Sequence, residues 1–134
     1  MTQDRESGLE ASRYGRKCAR LIAKAIGAEM VGSKSNECIW NGQRVVIKTA
    51  HNRTTSVGVL YHMVDRIKAV VGAFEENDGS YRVMQLPIER CAAAMRPTRS
   101  QGPSAGRVGM IDRKLFEDEG RLVGIVKVDD TLGN

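Results

Sequence analysis

A glutamate and a lysine on two neighbouring strand-like segments, Glu37 and Lys48, are the residues of this chain best placed to do chemistry. The segments Glu37–Trp40 and Gln43–Ala50 flank Asn41-Gly42, a residue pair that strongly favours a tight β-hairpin turn. Because alternate residues of a strand face the same way, the hairpin can bring the carboxylate and the ammonium to one edge of a sheet. A carboxylate there can bind an oxygen-preferring cation such as Mg²⁺, and an ammonium can stabilise negative charge nearby.

The sequence lacks the short motifs of several large enzyme classes. It contains no GxxxxGK(S/T) phosphate loop, no HExxH zinc motif and no GxSxG nucleophile motif. Three cysteines and two histidines are too few and too scattered for a zinc site. Cys38, inside a strand-like segment, is typical of a small core residue rather than of a nucleophile.

Composition predicts one domain that spans residues 1–134. Hydrophobic residues make up 41% of the chain and charged residues 28%, which is a globular balance. The net charge of +5 favours a polyanionic partner, above all DNA, although it also fits an ordinary basic protein. The chain has no apolar run long enough to span a bilayer, a signal-peptide pattern is absent, and the odd number of cysteines favours a reducing compartment. We therefore expect a cytoplasmic protein with no membrane partner.

Periodicity and turn signals predict the other elements. We expect Met1–Gly8 to be flexible, Leu9–Ile26 to be a helix with an apolar stripe, and Glu29–Gly32 to be a short strand or turn. After the hairpin, the predicted elements are a loop at 51–57, a helix at Val57–Arg66, strands at Ile67–Phe74 and Tyr81–Leu86, a helix at Ile88–Met95, a basic loop at 96–109, a helix at Ile111–Glu119 and a strand at Arg121–Val128. This order predicts an α/β fold, with a mixed central β-sheet flanked by helices.

Cations line the polar side of the first predicted helix. They are Arg13, Arg16, Lys17, Arg20 and Lys24. One interpretation is a solvated helix face; the other is a surface that follows a phosphate backbone, where each neutralised phosphate releases counterions. On the second interpretation, the predicted nucleic-acid-binding residues are Arg13, Arg16, Lys17, Arg20, Lys34 and Arg44.

The order of these elements and motifs resembles the PD-(D/E)XK nuclease superfamily, in particular its resolvase-like and restriction-endonuclease-like members. Tyr14–Leu21 looks like the first helix of that pattern, and Gly32–Glu37 looks like the turn that leads to the first acidic ligand. Val46–Ala50 aligns with the strand that carries the acid-x-lysine motif. The resemblance covers residues 9–87.

The resemblance implies a restriction-endonuclease-like fold that hydrolyses DNA with Mg²⁺ or Mn²⁺. Glu37 would be the metal ligand, and Glu37 and Lys48 would be the catalytic residues. Val46 occupies the position of the second acid, and Ala19 the helix position that often carries glutamate. Other acids that could complete the set are Glu10, Glu29 and Glu75.

Three functions therefore remain open. The first is a metal-dependent nuclease, and the second is a domain of the same fold that binds nucleic acid without cutting it. The third is a structural or dimerisation domain whose basic charge is incidental, in which Glu37 and Lys48 form a surface ion pair worth about 0–1 kcal/mol. Nucleases of this superfamily are often dimers, so a homodimer is compatible with each function.

Overall fold

A computed structural model describes residues 2–32, 36–97 and 106–128, with side chains from Tyr14 onward. The chain folds into a mixed α/β architecture with a central mixed sheet flanked by helices, as predicted. The helices are α1 (Thr2–Ile26), α2 (Ile88–Ala94) and α3 (Arg113–Glu119), together with a 3₁₀ turn at Tyr61–Met63. The strands are β1 (Glu29–Met30), β2 (Glu37–Trp40), β3 (Gln43–Ala50), β4 (Ser56–Leu60), β5 (Ala69–Glu75), β6 (Ser80–Pro87), β7 (Arg96–Pro97), β8 (Val108–Asp112) and β9 (Arg121–Lys127).

The central sheet has six strands in the order β1-β2-β3-β5-β6-β9. Only the β3–β5 pair is parallel; the other neighbouring pairs within this sheet are antiparallel. The predicted hairpin is confirmed at the expected residues, and Asn41 and Gly42 both adopt positive φ angles, of 53° and 78°, at its turn. A primed turn of this kind matches the twist of its two strands, which is why Asn-Gly favours it.

Two apolar clusters lie on opposite faces of this sheet. On one face, α1 packs Cys18, Ala19, Ile22 and Ala23 against Val45 and Ile47 of β3 and against residues of β5 and β6. On the other face, Val46 and Val70 pack with Val57 and Val59 of β4, and with residues of α2 and α3. The alternation along β3 therefore places Val46, and with it Lys48, on the face that β4 covers.

A small second sheet has the order β4-β8-β7, with antiparallel pairs throughout. The helix predicted at Val57–Arg66 is therefore wrong, because strand β4 and a short 3₁₀ turn occupy most of that range. Val57 and Val59 are buried at a spacing of two, and Gly58 approaches β8 so closely that a Cβ there would lie 2.8 Å from the Val108 Cγ1 atom. Pairing with a distant strand thus decides the structure of a segment whose local pattern is ambiguous.

Other boundaries also differ from the prediction. The first helix begins at Thr2 rather than Leu9, so Thr2–Gly8 are helical. Val108–Asp112 forms a strand, which shortens the expected basic loop and moves the start of the last helix to Arg113. The rest of that loop includes residues 98–105, which lie outside the described part of the chain. Among the helices of the described ranges, none combines the length and apolar character that crossing a membrane would need.

Candidate nucleic-acid interface

Glu37 lies at the start of β2, where the residue is buried. The β2–β3 register pairs it with Val46, so its carboxylate shares a sheet face with Arg44, Val46 and Lys48. Both carboxylate oxygens accept hydrogen bonds from arginine. Arg44 Nη1 lies 3.3 Å from Oε2, and Arg66 Nη2 donates to Oε1. Of the acids that the structure describes in this region, Glu37 is the buried one, and its carboxylate lies between two guanidinium groups.

This arrangement does not fit a resident divalent cation. Mg²⁺ in proteins takes oxygen ligands, usually one or two carboxylates in addition to substrate oxygens and water. Here the one matching carboxylate is already neutralised by two arginines, and the residue opposite is the aliphatic Val46. Within residues 14–32, 36–97 and 106–128, whose side chains are described, no three His, Cys, Asp or Glu side chains converge on a point that could hold a metal.

Of the alternative acids, Glu29 and Glu75, whose side chains are described, do not complete the set. Ala19 lies in the cluster on the opposite face of the sheet from Glu37, so a glutamate at that helix position would not share its face. Glu75 lies at the far end of β5, where it accepts a hydrogen bond from the backbone of Asn52 at 3.2 Å and pairs with His51 at 3.6 Å. Glu29 is exposed on the edge strand β1, and the side chain of Glu10 falls outside those described.

Lys48 lines a cavity of about 450 Å³ between α1, the start of β2, β3 and β4. The polar residues that line this cavity are Arg16, Asn36, Lys48, Thr49 and Ser56. Burial lowers the pKa of the Lys48 ammonium, because a desolvated cation is less stable than one in water. Among the residues that the structure describes, none that lines this cavity is acidic, and no ion pair joins Lys48 to a carboxylate.

Asn36 supplies a second unusual group in the wall of this cavity. Its side-chain oxygen Oδ1 is buried and accepts no hydrogen bond from any residue that the structure describes. A buried amide oxygen without a partner is costly, by about 1–3 kcal/mol, and therefore favours a ligand or water that can donate to it. The cavity thus offers cationic and hydroxyl donors beside one unused acceptor.

The structure brings together some of the predicted residues and separates others. Arg16 and Lys48 line the same cavity, whereas Arg44 is paired with Glu37. Lys17 and Arg20 are exposed on α1. The side chain of Arg13 and all of Lys34 lie outside the described part of the chain, so their assignment stays a prediction.

Sequence reasoning missed Arg66, Asn36 and Ser56. Arg66 was expected at the end of a helix, whereas it follows the 3₁₀ turn and reaches back to Glu37. Nothing in the local pattern marks this contact, since it joins residues on separate elements. Ser56 could have been predicted to line the cavity only if Ser56–Leu60 had been recognised as a strand that packs against the face of β3.

A polar and aromatic cluster fixes α1 to the end of the sheet beyond the cavity. The hydroxyls of Tyr14 and Tyr81 are hydrogen-bonded to each other, and the Tyr14 ring stacks on His51 with ring centres 4.4 Å apart. Burial raises the pKa of Tyr14 to about 12. Cys18 Sγ lies 3.8 Å from the Tyr81 hydroxyl. These contacts hold the helix segment that carries Arg16 against the sheet.

The cysteines belong to the core, as predicted for Cys38. All three are free thiols with buried side chains. Burial raises the pKa of Cys38 to about 11 and that of Cys91 to about 12, so both thiols stay protonated near neutral pH.

Comparison of the chain with known proteins finds distant likenesses in structure alone. No protein-family model matches the chain, and no curated protein matches it either. Among solved structures, the chain is similar to Hjc, a Holliday junction resolvase from the archaeal hyperthermophile Archaeoglobus fulgidus. The two are 9% identical over 92% of this chain and 97% of that chain, with a TM-score of 0.43. A likeness this distant does not bear on function.

Proposed function

We propose that this protein binds DNA through its phosphate backbone and does not cut it. The observation that supports this most directly is the contrast between Glu37 and Lys48. The acid expected to hold a metal is buried between two arginines, whereas the described residues that line the cavity around the lysine include no carboxylate. A cavity of this kind suits an anion.

A backbone phosphate fits the donors of this cavity. Lys48 and Arg16 supply charge, and the hydroxyls of Thr49 and Ser56 can donate hydrogen bonds to phosphate oxygens. The buried Asn36 Oδ1 atom can accept a hydrogen bond. A water molecule bound between this oxygen and the phosphate would donate one. Contacts of this type position a nucleic acid without reading its sequence, so we expect little sequence preference.

The cations of α1 extend this site along the helix. Lys17, Arg20 and Lys24 recur at steps of three and four residues, which places them on one exposed stripe, and Arg16 lies beside that stripe at the cavity. Arg13 has the spacing to continue the stripe toward the helix start. A backbone strand that follows α1 would therefore deliver one phosphate to the Lys48 cavity.

The test is a binding titration of the full chain against labelled duplex DNA at several salt concentrations. The logarithm of the association constant should fall linearly with the logarithm of the salt concentration, and Lys48→Gln should reduce the steepness of that line by about 0.9, the value for one phosphate contact. Lys127→Gln is the matched control, because Lys127 is an exposed lysine on the edge strand β9, away from the cavity. Failure of the unaltered protein to bind at low salt would overturn the proposal and favour a structural or dimerisation domain.

Cleavage distinguishes the proposal from the nuclease interpretation. Supercoiled plasmid and branched DNA are incubated with the protein and either Mg²⁺ or Mn²⁺, and we expect no nicking. Metal-dependent nicking that Glu37→Gln abolishes would replace the proposal with the nuclease function. The control for the loss of one negative charge is Glu89→Gln, because Glu89 is an exposed glutamate of α2.

A further inference from the structure

We infer that Arg44 and Arg66, held in place by the buried Glu37, form a second phosphate-binding site, which stands where a metal site would be expected. The inference rests on the proposed function, since it assigns a second point of contact with the same nucleic-acid backbone. It also gives Glu37 a role that needs no metal. Glu37 becomes a positioning residue for two cations.

The exposure of the three side chains supports this role. The Glu37 side chain is 4% exposed, whereas those of Arg44 and Arg66 are 42% and 48% exposed. Each guanidinium uses part of its planar fork of N–H donors on the carboxylate and carries further donors in the same plane. Because both arginines are nearly half exposed, donors that Glu37 does not use remain accessible from solvent.

The charge of the cluster also favours an anion. One buried carboxylate faces two guanidinium groups, so the three side chains together carry a net positive charge. Lys68 adds an exposed cation nearby, since its backbone N–H donates to the carbonyl oxygen of Arg44 at 2.7 Å. The single carboxylate balances only one of the two guanidinium charges. A phosphate that binds here would neutralise the other.

The position on the sheet links this cluster to the Lys48 cavity. Arg44, Val46 and Lys48 alternate along one face of β3, so the Cα atoms of Arg44 and Lys48 are about 13 Å apart at the usual rise of a strand. Val46, buried between them, separates the two sites. The same face of one strand therefore carries two separate cationic sites, which can bind two different phosphates of one nucleic acid.

The experiment repeats the salt-dependent DNA titration with Arg44→Gln and Arg66→Gln, each checked for folding by circular dichroism. Each variant should reduce the steepness of the salt dependence by about 0.9, as expected for one lost phosphate contact. Arg82→Gln is the matched control: Arg82 is an exposed arginine of β6 at the end of the sheet where Ala50 lies, opposite the end that carries Arg44.

The Glu37→Gln variant distinguishes two roles of Glu37, positioning of the two arginines and a simple effect of its charge on DNA binding. Removal of a negative charge would tighten DNA binding if only net charge mattered, whereas loss of the carboxylate that orients both arginines should weaken it. Weaker binding by a folded Glu37→Gln protein supports the inference, and tighter binding overturns it.

A paired variant guards against failure to fold. Glu37→Gln combined with Arg66→Gln leaves no unpaired buried charge, and its salt dependence should be shallower than that of Glu37→Gln alone. If the unaltered protein does not bind DNA, the proposed function fails. If it binds while the Arg44 and Arg66 variants behave like Arg82→Gln, only the inference of a second site fails.

Discussion

Glu37 lies directly opposite Val46 in the antiparallel register of β2 and β3. The carboxylate therefore has an aliphatic core residue as its cross-strand neighbour, where a metal site would need a second acid. Arginines from β3 and from the segment after the 3₁₀ turn supply the opposite charge instead. Four predictions test this relationship and the packing around it.

Divalent cations should not stabilise the fold. A metal that bound only the native state at a hundred times its dissociation constant would add about 2.7 kcal/mol, which would raise the melting temperature of a domain of this size by several degrees. Because Arg44 and Arg66 already neutralise Glu37, we expect no such rise with Mn²⁺ or Mg²⁺ in differential scanning calorimetry. A rise in the unaltered protein that disappears in Glu37→Gln would contradict this prediction.

Binding of DNA should weaken at alkaline pH earlier than it does for a Lys48→Arg variant. Burial lowers the pKa of Lys48, so its ammonium loses its proton at a lower pH than an exposed lysine would. Arg16 is the other cation among the described residues that line the cavity, and a bound phosphate partly opposes the loss by favouring the ammonium form of Lys48.

The measurement for Lys48 is the dissociation constant by fluorescence anisotropy, from about pH 7 to about pH 10. The guanidinium of Lys48→Arg does not titrate over this range, so that variant is the reference. Parallel loss of affinity by both proteins would show that titration of Lys48 does not control binding.

Gly72→Ala should destabilise the protein by about 1–3 kcal/mol, the usual cost of overpacking a core. Gly72 pairs with Lys48 across β3 and β5, and a Cβ there would lie 2.7 Å from Phe74 Cε2 and 3.0 Å from Phe116 Cε1. Gly124→Ala on β9 is the matched control, since a Cβ at that position meets no atom within 4 Å. Urea unfolding measures the free energy of unfolding of each variant. Equal values for the two variants would contradict tight packing around Gly72.

The Tyr14 hydroxyl should lose its proton at a higher pH than an ordinary tyrosine. Its contribution to the free energy of unfolding should therefore depend on pH. Its pKa is raised by burial from 10.0 to about 12, so the stability that it contributes is complete below pH 10.0 and is lost as pH rises toward 12. Ultraviolet absorbance titration should show a late tyrosinate step that Tyr14→Phe removes. The same variant should lose about 1 kcal/mol of stability at neutral pH, through the hydrogen bond to Tyr81. If Tyr14→Phe instead removes a step near the ordinary tyrosine pKa of 10.0, that result contradicts the burial of this hydroxyl.

The sequence predicted the central hairpin and the β5–β6 pair well because their signals are local. Asn41-Gly42 and Asp78-Gly79 mark tight turns between strands of alternating or buried character, and both hairpins form with those residues at or beside the turn. The mixed central sheet was predicted from the order of the helices and strands along the chain.

The second sheet and half of the candidate site were not predictable in this way. β4 pairs with β8, which is distant along the chain, and no local pattern announces that pairing. The two arginine contacts of Glu37 illustrate the same limit. Arg44 is the diagonal neighbour of Glu37 across a predicted hairpin. Arg66 lies in a segment that was wrongly predicted to be a helix.

The β4 wall of the Lys48 cavity has a consequence for the order of folding. β3 forms through a short turn with β2, but β4 is held in its sheet by β8, which lies far along the chain. Closing the longer loop costs more chain entropy, so we expect the hairpin to form early and the β4–β8 pair late. The β3 side of the cavity therefore forms early and the β4 side forms late. In a partly folded chain without β4 in place, Lys48 would still be in contact with water.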